Sequence, residues 1–279
     1  MKKNIFIVIT TVLTLLSSSI YGQDKIKLEY KFEKGKTYLY KDETVGDMTQ
    51  EMMGREMKMK NESKSLVRLV VDNVDKDNKA TLIVSSDSVT VHSKTPMRDT
   101  TISVKEIEGK RTKIVVSKLG KIFGRETIDS IKVSGRMSAM ANREAISFPQ
   151  FPENAIAVGE KWKSTEVDTT SPDNSGQLIV TRDIEYTLAG KEKKNNYDCF
   201  KVTFTGTSST EGKFNMQGME FYIEGSGKVK GSFYFATKIG MVIESESETE
   251  SEMTYASVGE NPMTIPITQK IVSKRTLVK

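Results

Sequence analysis

Beyond residue 25, apolar and polar positions alternate with a period of two, in runs broken by polar turn clusters. Successive side chains leave a strand on opposite faces, so this period predicts strands with one face buried. The runs include "SLVRLVVDNV", "ATLIVSSDSVTV", "TKIVV", "QLIVTRDIEYTL" and "FKVTFTGT". Between them lie "DKDNK" at 75–79, "EGK" at 108–110, "SPDNSG" at 171–176 and "GKEKKNN" at 190–196, all rich in turn formers. Such spacing predicts long antiparallel strands joined in meanders. One segment departs from it: in "SGRMSAMANREAI", 134–146, residues Met137, Met140, Ala141 and Ile146 share a face at helical spacing. The prolines of "SFPQFPENAI" forbid that helix to continue. The expected fold is therefore all-β with one prominent helix, built as a long curved antiparallel sheet or half-barrel.

The chain also matches itself. "FEKGKTYLY" at 32–40 and "IAVGEKWKS" at 156–164 each place a glycine, Gly35 or Gly159, three residues before an aromatic, Tyr38 or Trp162. "VSKLGKIF" at 116–123 and "ATKIGMVI" at 236–243 match at Gly120 and Gly240. The two pairs occur in the same order, 85 and 81 residues apart. We therefore expect two similar β-meander halves, 23–147 and 148–279, sharing one continuous sheet.

A second departure is "GMVIESESETESEMTYA" at 240–256, where glutamate alternates with serine or threonine from Glu244 to Glu252. Both faces of this strand are polar. Carboxylates on one face stand about 6.8 Å apart, twice the strand rise. That spacing is too wide for a calcium loop. Lysines of "SGKVKGS" at 226–232 and of the terminal "ITQKIVSKRTLVK" are the expected partners. The expected form is a long, solvated hairpin arm that leaves the core after Ile243 and rejoins it near Met253.

The first residues, "MKKNIFIVITTVLTLLSSSIYGQ", read as a cleaved secretory leader spanning 1–22: Lys2 and Lys3, then an apolar stretch, then small residues. Thr10, Thr11, Thr14 and Ser17 to Ser19 interrupt it too often for a membrane anchor. Export to the periplasm or beyond is expected, with no transmembrane span in the mature chain. Cys199 is the sole cysteine, so no intramolecular disulfide can form, and its place in "YDCFKVTF" suits a buried thiol. The formal charge of +5 includes Lys2 and Lys3, whose loss with the leader brings it to +3. The remaining lysines form no basic stripe interleaved with aromatics, so nucleic acid is not an expected partner.

Catalytic and metal-binding chemistry finds little support. His92 is the only histidine, and no Gly-x-Ser-x-Gly elbow accompanies it. One histidine and one cysteine cannot build a zinc site. No phosphate-binding glycine motif occurs. No cofactor, metal or catalytic residue is expected. "DMTQEMMGREMKMK" instead concentrates methionines, with Met53, Met57 and Met59 able to share a strand face if Gly54 marks a bulge. Methionine lines adaptable apolar surfaces, so Met53, Met57 and Met59 are candidate ligand contacts, together with Met137 and Met140 of the expected helix.

"FPQFPENAIAVGEKWKS", with Pro149, Pro152, Gly159 and Trp162, resembles the mid-chain motif of a family of secreted, β-rich bacterial proteins carried as a domain of unknown function. "GSFYFATKIGMV", turning at Gly240, fits the same family. These residues shape backbone and core, so the resemblance implies a fold and no catalytic residue. More loosely, a curved antiparallel sheet with a helix against it is similar to the half-barrel of periplasmic lipoprotein carriers, in architecture only. Two functional readings stay open. One is an exported, non-enzymatic protein binding an apolar or lipid-like small molecule on its curved sheet. The other is a cell-envelope module that meets another protein or a glycan.

Overall fold

The computed structural model describes residues 25–52, 54–129, 146–170, 176–216, 219–258 and 262–279. Among them the alternating runs form twelve strands: β1 (Thr37–Met52), β2 (Arg55–Val74), β3 (Lys79–Thr95), β4 (Arg98–Ser103), β5 (Arg111–Ser117), β6 (Ile122–Thr127), β7 (Lys161–Thr170), β8 (Gln177–Lys194), β9 (Tyr197–Met216), β10 (Met219–Ala236), β11 (Met241–Ser257) and β12 (Thr264–Leu277). All pair antiparallel in one sheet, ordered β6-β5-β3-β2-β1-β12-β11-β10-β9-β8-β7, with β4 added to β3. No helix occurs among the described residues. Residues 134–145 of the expected helix, with Met137 and Met140, lie outside them, as do the leader 1–22 and Met53. Ile146, the last residue of that expected helix, is buried in an irregular segment.

The sheet is rolled. Eleven strands in a row, at ~4.8 Å spacing, would span about 48 Å if flat. Yet Arg125 on the β6 edge lies 4.0 Å from Asp168 on the opposite edge, β7. Among the described residues no backbone pairing joins the two edges, so the roll brings them face to face across a seam without closing a barrel.

One end of the roll is filled. Inward positions two apart, such as Val67, Leu69 and Val71 on β2 and Ala80, Leu82 and Val84 on β3, meet Phe233 and Phe235 of β10 in one core. The segments leading into β1 and β7 cross inside this end as a plug. Ile26 and Ile156 form an antiparallel bridge, and Leu28, Tyr30, Phe148 and Phe151 are buried. Tyr30 touches Phe148, Phe151 and Phe235 with ring centroids 5.0–5.5 Å apart. Each such aromatic burial contributes roughly 1.5–3 kcal/mol. Pro149 and Pro152 sit in the plug, where an extended chain carries no ladder to interrupt. The Pro149 carbonyl accepts the Tyr30 hydroxyl at 3.2 Å, and the neighbouring Gln150 carbonyl accepts the Trp162 indole N–H at 2.7 Å.

The matched glycines occupy matched geometry. Gly35 N–H donates to Val71 O and Val71 N–H to Lys36 O; Gly159 N–H donates to Leu188 O and Leu188 N–H to Glu160 O. A bulge follows each acceptor, at Val71/Asn73 and at Leu188/Gly190. Gly120 turns β5 into β6 and Gly240 turns β10 into β11, with register shifts at Val115/Val116 and Tyr234/Phe235. All four glycines have positive φ, between 67° and 90°.

The glutamate strand is not a free arm. β11 is an interior strand, paired along its length to β10 and β12. Its ends do contact apolar clusters, at Ile243 and at Met253. Lys230 and Lys270 reach Glu248 at 2.9 and 3.1 Å, and Lys274 reaches Glu246 at 2.6 Å, from the two neighbours expected. These carboxylates face outward; the serine and threonine face looks into the roll.

Candidate functional site

Residues directly opposite across a ladder share a face, so the register traces the concave wall from strand to strand. At the filled end this wall is core. The cavity left there, bounded by Tyr40, Leu69, Phe148 and Met241, is about 20 Å³, too small for any ligand beyond a water. The expectation of an apolar ligand surface therefore applies only to the part of the roll past the core, into which strands of 16 to 20 residues extend.

A belt of small, uncharged side chains lines the middle of the wall. Thr44 stands opposite Ser63 and Ser273, and Ser247 opposite Ser273 and Gly231. A Cβ on Gly231 would lie 2.3 Å from Glu246 O and 2.6 Å from the Phe204 ring. Only glycine fits there, where the strands coil tightly on the inner side.

Past the belt, the far end carries a second apolar cluster. Phe221, Ile265 and Ile267 are buried, with Met48, Phe214, Met253, Tyr255 and Met263 packed on them. Phe214 stacks on Phe221 at 5.8 Å and meets Tyr255 edge-on at 5.3 Å. Of the methionines singled out by sequence, Met59 stands directly opposite Met48, and Met57 opposite Gln50. Both are half-buried on the concave wall at this end. Phe214 and Phe221 were missed in sequence; Met253 was expected only as the return of its strand to the core, and Met48 only as a member of the methionine-rich stretch. Each lies on an alternating strand, but only the strand order brings them together. The exposed side chains Met219 and Val258 lie at neighbouring hairpin tips of this rim. A groove of about 380 Å³, lined by Thr49, Glu51, Glu56 and Thr268, lies on the opposite, convex face.

Charges also stand on the inner wall. Asp42 and Arg275 form a two-pronged pair, 2.7 and 2.6 Å, just above the core. At the seam stand Arg125, Glu166, Asp168 and Arg182, with Glu166 directly opposite Arg182. Burial pushes the Glu166 carboxyl up and holds the Arg125 guanidinium below its usual range. Their sequence signal was present. In "QLIVTRDIEYTL" Arg182 interrupts an otherwise apolar face of Leu178, Val180, Ile184 and Tyr186, and in "KWKSTEVDTT" Glu166 and Asp168 follow Trp162 on one face.

His92 sits on the β3–β4 hairpin, with Nε2 2.6 Å from the exposed Asp99 carboxylate, whose pKa it lowers. Thr101 is its cross-strand neighbour. Among the described residues no group of three or more His, Cys, Asp or Glu is arranged to hold a metal ion. Cys199 is buried. No described helix is long and apolar enough to cross a membrane.

No protein-family model and no curated protein matches the chain. Among solved structures it is similar to lipovitellin, from a study of lipid–protein interactions in that protein, at 10% identity and a TM-score of 0.48; the match covers 89% of this chain and 26% of that one. The chain thus spans about a quarter of lipovitellin's length. It is also similar to OpdQ of Pseudomonas aeruginosa, at 8% identity and a TM-score of 0.27, covering 87% of this chain and 99% of the other. At these levels neither likeness establishes a function.

Proposed function

We propose that this is an exported, non-enzymatic protein that binds an apolar, lipid-like molecule along the concave wall of its rolled sheet. One observation carries the reading: an apolar cluster rich in methionine and aromatic side chains ends a small-residue wall, while the Glu–Lys ladder occupies the opposite face. Thioethers and aromatics adapt to apolar chains of varied shape, and the side chains of the belt between the core and that cluster are small and uncharged. The leader at 1–22 and the likeness to secreted β-rich proteins support export. The matched hydrogen bonds around Gly35 and Gly159 support two similar meander halves, 23–147 and 148–279, sharing one continuous sheet.

The test is equilibrium binding of methyl palmitate, backed by native mass spectrometry of gently purified protein. Met57→Lys with Met59→Lys is expected to weaken binding at least ~10-fold without moving the urea midpoint, since both side chains are half-buried. Protein that stays ligand-free and ignores fatty acids and lipids refutes the reading. A second reading, an envelope module that meets a protein or glycan, draws on the filled core, and that same result would favour it.

A further inference from the structure

Four charged side chains meet on the concave wall at the seam, and they are poorly matched to one another. Arg125 Nε is 4.0 Å from Asp168 Oδ1, and Nη2 donates to Ile146 O at 3.1 Å. Nη1 is buried with no hydrogen-bond partner. Glu166 and Arg182 are direct cross-strand neighbours, yet no ion pair within 4.0 Å joins them. The Asp42–Arg275 pair on the same wall shows what a satisfied guanidinium looks like, with both prongs filled at 2.7 and 2.6 Å. A buried donor left unsatisfied costs about 1–3 kcal/mol, more when charged, so native structures rarely keep one without a use.

We infer that the seam is a headgroup site: Arg125, with Arg182 beside it, takes the anionic oxygens of an amphipathic ligand, a carboxylate or a phosphate. This rests on the apolar-ligand reading above and narrows its ligand to an anionic amphiphile. Guanidinium groups bind such oxygens through two parallel hydrogen bonds. Asp168 and Glu166 would repel an anion; burial raises the Glu166 carboxyl pKa, which lessens its share of that repulsion, and the two guanidinium groups offset the rest. The distances also fit. Arg182 is level with Ser208 on β9, and Phe214 of the far cluster lies six residues on, about 20 Å at the strand rise. A head held at the seam thus lays a long acyl chain along the belt to Phe214 and Phe221.

The experiment compares palmitate, 1-palmitoyl-lysophosphatidate, methyl palmitate and inorganic phosphate, binding to wild type and to Arg125→Gln below micellar concentrations. Trp162, on the same β7 face as Glu166, supplies the fluorescence signal. Wild type is expected to bind at least one anionic amphiphile at least ~10-fold tighter than methyl palmitate. Arg125→Gln should erase that preference and leave methyl palmitate unchanged. The ratio of palmitate to lysophosphatidate then identifies the head. Equal binding of palmitate, lysophosphatidate and methyl palmitate to wild type overturns the headgroup site alone and leaves the apolar-ligand reading standing. If no amphiphile binds wild type, both fall. Inorganic phosphate binding as tightly as lysophosphatidate marks a free-anion site and overturns the inference. Should Arg125→Gln fail to fold, Arg182→Gln takes its place, and an unchanged preference there counts equally against it.

Discussion

The four matched glycines share a backbone conformation but not a neighbourhood, and that difference predicts how alanine acts at each. Gly35 and Gly159 have φ of 83° and 90°, with nothing within 4 Å of an added Cβ. Alanine there meets only the left-handed penalty, about 1–2 kcal/mol. Gly240 has φ of 67°, and its Cβ would lie 2.3 Å from Lys31 N and 2.5 Å from Lys31 Cβ. Gly120 has φ of 87°, and its Cβ would lie 2.3 Å from Pro149 O. The nearest of these contacts are to backbone atoms of the plug segments, Lys31 N and Pro149 O, which no side-chain rotation relieves. The plug must move, which breaks Lys31 N–H to Gly240 O in one case and disturbs the Tyr30 bond to Pro149 O in the other. A hydrogen bond worth about 1 kcal/mol and lost packing of roughly another 1 kcal/mol add to the conformational penalty. Gly120→Ala and Gly240→Ala should each lose about 3–4 kcal/mol, and Gly35→Ala and Gly159→Ala about 1–2. Urea unfolding followed by the emission of Trp162, buried against Tyr186 at 5.1 Å, reads this directly. With a slope of ~3 kcal/mol/M, the midpoint falls by about 1 M in the first pair and about half that in the second. Four equal shifts, or a Gly240→Ala midpoint within 0.2 M of wild type, would refute the view that these turns clamp the plug.

Two further outcomes follow from the charges. Glu244 is 6% exposed and holds Lys194 at 2.7 Å and Lys274 at 3.3 Å, so Glu244→Gln should cost about 2 kcal/mol; Glu250→Gln, on the solvated part of the ladder, should cost under ~0.5 kcal/mol, and equal urea midpoints for the two would contradict this. Arg111 grips Asp129 through Nε, Nη2 and its own backbone N–H and lowers the Asp129 pKa to about 2. A depressed carboxylate stabilises the fold above its unfolded value near 4 and loses that contribution as pH falls toward 2. Asp129→Asn should therefore have a shallower decline in urea midpoint between pH 4 and pH 2 than wild type, and identical slopes would show the pair adds nothing to acid stability.

The amino-acid order determined by itself whatever depends on the alternation of neighbouring side chains. Strand class follows from a two-residue period, because the pleat sends successive side chains to opposite faces. Turn positions follow from local chemistry, as at "DKDNK", and the paired glycines announced two similar turns and two similar strand starts. The sequence even named the lysine-bearing neighbours of the glutamate strand. Only the tertiary structure decided the order of the strands. β12 inserts between β1 and β11, which makes β11 an interior strand and turns an expected free arm into a charged ladder. The same order sets Met59 opposite Met48 and carries Arg125 around the roll to Asp168, across 43 residues of chain. Pairing between distant strands depends on the summed register and twist of every ladder between them, and no local window of residues contains that sum.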